Sequence, residues 1–577
     1  SNDGCANIHN DYTTKGSRIF NYTDVSNCYK SIQYDVGVAN QTIQTLNGIF
    51  NGFYPFLDMA RNPPPNGFNY SSMNITFELD RLLNKTYGTL VQFMTDVKNV
   101  TNQLKDGHTN FVTSCFSTFA FFSNITLYST IGTNGIQTIK VRNDSIDPSN
   151  NDCEVTLIDG IQAFQVIYEF ARDSVFISRD IGVRFNIALD DVDADNSFSY
   201  RLTLPPTSNI TYKLNCNNTV KDITRFWIAM SIPEILNLFN DSNTFLKNRC
   251  KISTTNQTLS QRGLNETQSI GIFDITQEYK GDHYYPEKSI NITTTRTIPE
   301  FISFFKNDSL GFVKIFTEKV ILNDTVAINT IKGFEELATS GVKKVVLDLS
   351  NNFGGSIAVS AFISLILFPK ANPFFDYDFR ATKSLEFALD NGVLFNRTEF
   401  ISTNNDLIGN NSYTRGNITE SYSNKFSPNI LDLLTSFIAQ YLKTPIPWTS
   451  NDIIILTNGV CGSACALIAE LAAENNVSTV AVGGIANTSL SYFSFPGGFY
   501  INSSLILGLN SSNNNLIPKP FPLDAYITLP YTEVYSKILP DQPLEFLYNP
   551  AKYRLYYDQD CIQNPSILWS KAVALLK

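Results

Sequence analysis

Two mostly aliphatic runs, Lys344 to Leu349 and Asp452 to Leu456, each lead into a glycine-bearing loop and then an apolar helical stretch, Ser356 to Leu367 and Ala466 to Glu474. Such strands are buried on both faces, and parallel neighbours must be joined by a crossover, usually a helix. The pattern predicts the α/β class with a largely parallel sheet, extended by strand Gly311 to Phe316, helix Asp324 to Ser340 and strand Thr479 to Val482. Loops leaving the carboxyl ends of such strands share one edge, where ligands bind. Both glycine loops are therefore expected to line one cleft.

At roughly 150 residues per domain, 577 residues correspond to between two and four folded units. Residues 1–114 read as mainly helical, with periodic apolar positions from Ile43 to Leu57 and from Phe77 to Leu104. Residues 115–252 read as a β-rich unit: strands Phe119 to Leu127, Gly135 to Val141 and Glu154 to Ile158, then a helical stretch Gln162 to Ala171. The Thr-, Ser- and Asn-rich residues 253–298 read as a linker or surface loop, and residues 299–577 as the α/β domain, with Ser402 to Lys425 an inserted surface loop.

The longest apolar runs, such as Ala361 to Phe368, fall far short of the ~18 residues a membrane span needs, so a soluble chain is expected. The net charge of −10, with no Lys/Arg cluster, excludes nucleic acid as an expected partner. Asn-x-Ser/Thr sequons recur at Asn21, Asn40, Asn74, Asn124, Asn209, Asn256, Asn291, Asn396, Asn417, Asn487 and Asn510, which predicts a secreted or cell-surface glycoprotein. The nine cysteines form no metal-binding set, so disulfides are expected, with at least one thiol left over. No cofactor or metal is expected: three histidines are too few for a rich metal site, and no GxGxxG pattern occurs. The polar start Ser1-Asn2-Asp3-Gly4 carries no apolar leader, so any signal peptide is expected to have been removed.

The strand-turn-helix corner Asn458-Gly459-Val460-Cys461-Gly462-Ser463-Ala464-Cys465 seats a serine at a helix N-terminus among small residues, as a nucleophile requires. Serine at a helix start is also the commonest cap, so the loop alone leaves both roles open. Gly354 and Gly355, after Asp348-Leu349-Ser350-Asn351-Asn352-Phe353, let backbone N–H groups face a substrate, or simply let the chain turn. A serine needs a base. His9 lies in a polar terminus and His283 in the presumed linker, whereas His108 follows the Asp106-Gly107 turn after an apolar helical pattern. Lys519, in a Pro-flanked loop, lacks the burial that a lysine base needs.

In chain order, Leu104-Lys105-Asp106-Gly107-His108-Thr109, the segment Val346 to Gly355 and the segment Thr457 to Cys465 resemble the S41 (C-terminal-processing) serine peptidases. The likeness is nearest to the branch typified by the chlamydial protease-like activity factor and its fungal relatives, and it spans nearly the whole chain. It implies a Ser/His/Glu triad on a crotonase-like α/β domain, with a PDZ-like unit between the histidine and the serine, to which Leu157-Ile158-Asp159-Gly160-Ile161 looks similar. By motif, Ser463 is the nucleophile and His108 the general base. Amides of Gly354 or Gly355 and of Ala464 form the oxyanion hole, and Asp106 orients the histidine segment. Glu533 in Tyr531-Thr532-Glu533-Val534-Tyr535 is the expected third member, ahead of Asp524 and Glu545.

The chain departs from the family pattern at Ser350 and Asn351, where many relatives carry Arg-Gly, and at Cys461 and Cys465, which can bridge each other, bridge elsewhere or stay free. The resemblance implies protein or peptide substrates, with dimerisation and internal cleavage as in some relatives. Two other readings stand beside the peptidase: a glycoprotein that keeps the fold and has lost catalysis, and an enzyme of the same fold acting on small acyl substrates.

Overall fold

A computed structural model describes residues 2–65, 68, 71–190, 193, 195–251, 291–394, 407, 409, 411–511 and 513–576. Its centre is a seven-stranded sheet in the order Thr293–Ile298, Ile302–Asn307, Leu310–Ile315, Lys344–Asp348, Ile453–Thr457, Ser478–Val482, Tyr553–Leu555. The first two pairings are antiparallel and the other four parallel. Alternate residues of the central strands serve two cores. Val345, Leu347, Ile453 and Ile455 pack under helices Ile357–Leu367 and Ala464–Glu474. Val346, Ile454 and Leu456 face Leu568 and Trp569 of helix Ser566–Val573. Burial on both faces is why these strands read as unbroken apolar runs.

Residues 2–102 are mainly helical among the described residues. The run Phe77 to Leu104 is two helices, Ile75–Leu82 and Leu90–Asn102. The β-rich region is a six-stranded antiparallel sheet running Thr219–Phe226, Asn209–Cys216, Glu154–Ile158, Gln137–Asp144, Ile125–Ile131, with Ile161–Gln162 beside Glu154–Ile158. It is tied to the N-terminal helices by a four-stranded sheet that joins Ile19–Asn21 to Ile228–Met230, Ala120–Phe122 and Tyr200–Arg201. Most of the expected linker lies outside the described residues, but Thr293–Ile298 is not linker: it is the edge strand of the seven-stranded sheet. The expected surface loop from Ser402 to Lys425 contains a hairpin, Asn411–Arg415 with Ile418–Tyr422, whose Arg415 reaches inward.

Helix Ile181–Leu189, within the β-rich region, couples that region to the α/β domain. Asn186 Nδ2 donates to the carbonyls of Asn458 (2.8 Å) and Val482 (3.0 Å), and its Oδ1 accepts the Gly484 N–H at 2.8 Å. Gly459 has φ 82°, and a Cβ there would lie 2.5 Å from Val183 Cγ2. The helix thus rests directly on the loop after strand Ile453–Thr457. Gly459→Ala combines left-handed strain with a clash, and is expected to cost about 2 kcal/mol, read as a drop in thermal midpoint. An unchanged midpoint would show that the helix and loop are not packed as described.

Candidate active site

The two glycine loops are joined where the strands stop. The parallel ladder continues through Leu349 N–H to Leu456 O (2.8 Å), Asn352 N–H to Val460 O (2.9 Å) and Gly462 N–H to Asn352 O (2.8 Å). Ser463 follows at φ 53°, ψ −124°, a backbone state that costs a non-glycine residue of order 1–3 kcal/mol. Its N–H donates to Phe495 O at 2.6 Å, and helix Ala464–Glu474 starts at the next residue. The Ser463 side chain makes no cap bond to that helix. Its Oγ lies 3.2 Å from His108 Nε2, across 355 residues of sequence. A Cys461–Cys465 disulfide brackets the serine, settling which of the three options these cysteines take.

His108 is positioned by its own turn and by aromatic rings. Asp106 Oδ1 accepts the His108 backbone N–H at 3.0 Å and Oδ2 accepts the Tyr54 hydroxyl at 3.0 Å. The Tyr54 carbonyl in turn accepts from Arg380 Nε, whose guanidinium also bonds the carbonyls of Phe50 and Asn51 at the C-terminal end of helix Val36–Phe53. The His108 ring stacks on Tyr500 at 5.0 Å and meets Phe495 edge-on at 4.9 Å. A Cβ on Gly107 or on Gly462 would approach the Phe495 ring to 2.3 Å, so one phenyl ring is wedged between the turn of His108 and the loop of Ser463. Burial pushes the His108 pKa down to about 4, against an upward pull from Asp106. The imidazole is neutral at pH 7 and free to accept a proton.

The structure separates the two loop glycines. Gly354, at φ 94°, lies so close to Ser463 that a Cβ would come 2.6 Å from Ser463 Cβ, but its N–H is already given to Asn352 Oδ1 at 2.8 Å. Gly354 is therefore corrected from donor to spacer. Gly355, at φ 154°, bridges Glu318 through the flanking Gly354 carbonyl and Ser356 N–H, which turns its own N–H to the opposite side. Ala464 supplies a first-turn N–H that no intrahelical carbonyl can reach. The departure at Asn351 has a local cause: at φ 56° it takes a conformation that Asn tolerates, and its side chain accepts from Asn458 Nδ2 at 2.7 Å, tying the two loops again.

Glu533 does not reach His108. Its carboxylate is buried in strand Glu533–Tyr535 and bonded by both Nη atoms of Arg415 and by the Tyr535 hydroxyl. Asp378, opposite Glu533 in register, and Asp58, 3.7 Å from Arg415, crowd the same place, and burial holds the carboxyl groups of Asp378 and Asp58 above the usual range. Three acids buried together require a cation, and the hairpin's Arg415 supplies it. The expectation that Glu533 holds the imidazole is corrected for this reason; the carboxylate whose charge His108 feels is Asp106. Of the runners-up, Glu545 accepts the Val534 N–H, and the Asp524 backbone bonds Ser114 and Cys250. His9 lies on helix Gly4–Lys15, and His283 is outside the described residues.

Sequence reasoning passed over Phe495, Tyr500, Tyr54 and Glu318. Glu318 is fully buried beneath the glycine loop; Oε1 accepts from Asn352 Nδ2 at 3.0 Å, and Oε2 has no partner among the described residues. Asn256 and Asn396 are outside the described residues; Asn21, Asn40, Asn291, Asn417 and Asn487 are exposed, and Asn74, Asn124, Asn209 and Asn510 are partly exposed.

No family model and no curated protein sequence matches the chain. Solved structures do. Mature CPAF, the chlamydial protease-like activity factor, in complex with lactacystin aligns with a TM-score of 0.57 at 12% identity, over 94% of this chain and 98% of that one. Mature CPAF alone gives 0.55 at 14% identity, over 93% and 96%, and a CPAF mutant gives 0.54 at 13%, over 94% and 97%. At such identity the likeness is one of fold, and it falls on the branch that the sequence motifs resemble.

Burial pushes the Glu318 pKa up to about 8, from an ordinary 4.5, so across that window the folded chain keeps a proton that the unfolded chain releases. Stability should fall as pH rises from about 4.5 to about 8, and Glu318→Gln, which keeps the acceptor for Asn352, should flatten that slope in thermal melts. An unaltered slope would show that Glu318 ionises freely.

Proposed function

We propose that the chain is a secreted, glycosylated serine endopeptidase in which Ser463 attacks the scissile carbonyl and His108 is the general base. The observation that carries this reading is the 3.2 Å approach of Ser463 Oγ to a buried, neutral His108 Nε2, with the serine in a strained corner at a helix start. The three resembling motifs and the fold shared with CPAF support it, as do the three disulfides and the absence of burial at the named, described sequon asparagines. The crotonase-like name for the α/β domain and the PDZ-like name for the β-rich region belong to the same proposal.

In the reaction Oγ bonds to the carbonyl carbon as its proton passes to His108 Nε2. The carbonyl oxygen gains the negative charge and is met by the N–H groups of Gly355 and Ala464. Collapse expels the amine, which takes the proton from Nε2 and leaves an ester on Ser463. Water, deprotonated by the same nitrogen, then releases the acid. Asp106 acts without touching substrate: its charge lowers the cost of the imidazolium, and its bond to the backbone fixes the turn. Tyr500, 55% exposed, covers one face of the imidazole at the rim of the site.

A fluorophosphonate probe tests the reading. Labelling is expected at Ser463 and is lost in Ser463→Ala and His108→Ala. Because His108 stays neutral down to about pH 4, the acid limb of labelling should fall below the ordinary histidine value of 6.5. Asp106→Asn is expected to slow labelling by about 10²-fold, and Glu533→Gln by less. A loss in Glu533→Gln matching that in His108→Ala would instead make Glu533 the third member. Reduction of Cys461–Cys465 should slow labelling by loosening the loop that strains Ser463. The engagement of Glu533 by Arg415 favours the second reading, a glycoprotein that has lost catalysis. Folded protein that takes no label at any pH would establish that reading and sink the first.

A further inference from the structure

Nine cysteines and three disulfides leave Cys115, Cys250 and Cys561 as buried thiols. Two of these three are held against each other from several directions. Asp524 bonds both backbones: its carbonyl accepts the Ser114 N–H at 3.0 Å, and its N–H donates to Cys250 O at 2.9 Å. Arg249, next to Cys250, donates Nη2 to Ser114 O at 2.6 Å and Nε to Thr118 Oγ1 at 3.0 Å, bracketing Cys115 on both sides. Both side chains are 0% exposed, and Cys115 is near enough to Cys250 to push its buried thiol pKa further up. Cys561 lies elsewhere, in the core under helix Ser566–Val573.

We propose that Cys115 and Cys250 form a fourth disulfide when the chain folds in an oxidising compartment. The two cysteines are buried in backbone segments that Asp524 and Arg249 already clamp together, which brings them within the range that a disulfide spans. Each sulfur gives up its proton and the pair gives up two electrons. A disulfide donor of the secretory kind accepts them: one thiolate forms a mixed disulfide with it, and the second thiolate displaces the donor as a thiol. Eight cysteines are then paired, and Cys561 is the odd one.

The bond would join the two ends of the β-rich region: Cys115 and Cys250 stand 135 residues apart, as do the hydrogen-bonded Ser114 and Arg249. It would also fix the exit of strand Asn110–Thr113, which starts two residues after His108. The inference does not depend on catalysis, because it rests on the bonds that Asp524 and Arg249 make between the two cysteine-bearing segments.

The test is peptide mapping of the full chain, secreted from a eukaryotic host, unfolded in the presence of N-ethylmaleimide without reductant. Mass spectrometry should find Cys115 linked to Cys250 and only Cys561 modified, and in Cys250→Ser the Cys115 thiol should become modified. The Cys115→Ala/Cys250→Ala chain should melt about 5 °C or more below wild type, since it loses the constraint of a long closed loop. Modification of both Cys115 and Cys250 in material whose other three bridges are intact would overturn the proposal. So would linkage of either cysteine to a third residue.

Discussion

Everything at the candidate site hangs on two short parallel bridges that continue the sheet after its strands have ended. Asn352 gives its N–H to Val460 and takes that of Gly462, while Glu318 pairs in the same way around Gly355. Backbone hydrogen bonds buried away from water are costly to leave unmade, so this ladder fixes the loops as firmly as the strands behind them. A side chain at Gly354 would enter the space of Ser463, and one at Gly355 the backbone of Glu318. The glycines are required by the closeness of three chains, and the strain at Ser463 is sustained by the same closeness.

The second constraint is the handling of buried charge. His108 is surrounded by Phe495 and Tyr500 and is kept neutral, which suits a proton acceptor. Glu318 keeps its proton beneath the loop for the same reason, loss of solvent. Where three carboxyl groups meet, at Asp58, Asp378 and Glu533, burial alone cannot be tolerated, and a hairpin delivers Arg415. The polar insert is therefore structural, because its Arg415 offsets the carboxylates buried around strand Glu533–Tyr535. Arg380 in turn bonds the carbonyl of Tyr54, at the C-cap of helix Val36–Phe53, whose hydroxyl donates to Asp106.

The strands and helices of the α/β domain were legible because a strand buried on both faces must be aliphatic throughout, and the glycines after each strand mark its end. Strand Glu154–Ile158 and helix Ala163–Asp173 were legible from alternation and helical periodicity. The hairpin Asn411–Tyr422 was not, since its Asn, Ser and Thr residues look the same in a loop and in an exposed strand pair. Helix Ile181–Leu189 was passed over because it is apolar nearly all round and shows no amphipathic stripe; it is buried between two regions. The break between Leu82 and Leu90 was hidden by apolar residues that happen to keep a helical spacing.

The sequence by itself singled out His108 and Ser463, because the three motifs that carry them and the glycine loop resemble, in chain order, those of the S41 peptidases, whereas each residue taken alone left its role open. It also determined that the glycine loop faces that serine, since parallel strands send their loops to one edge. Only the tertiary structure decided that Asp106 lies beside His108 while Glu533 is held by Arg415, and which glycine amide is spent within its own loop. Those choices depend on contacts between residues hundreds of positions apart, in a solvent-poor interior where each charge must find a partner. No local spacing records which partner it finds.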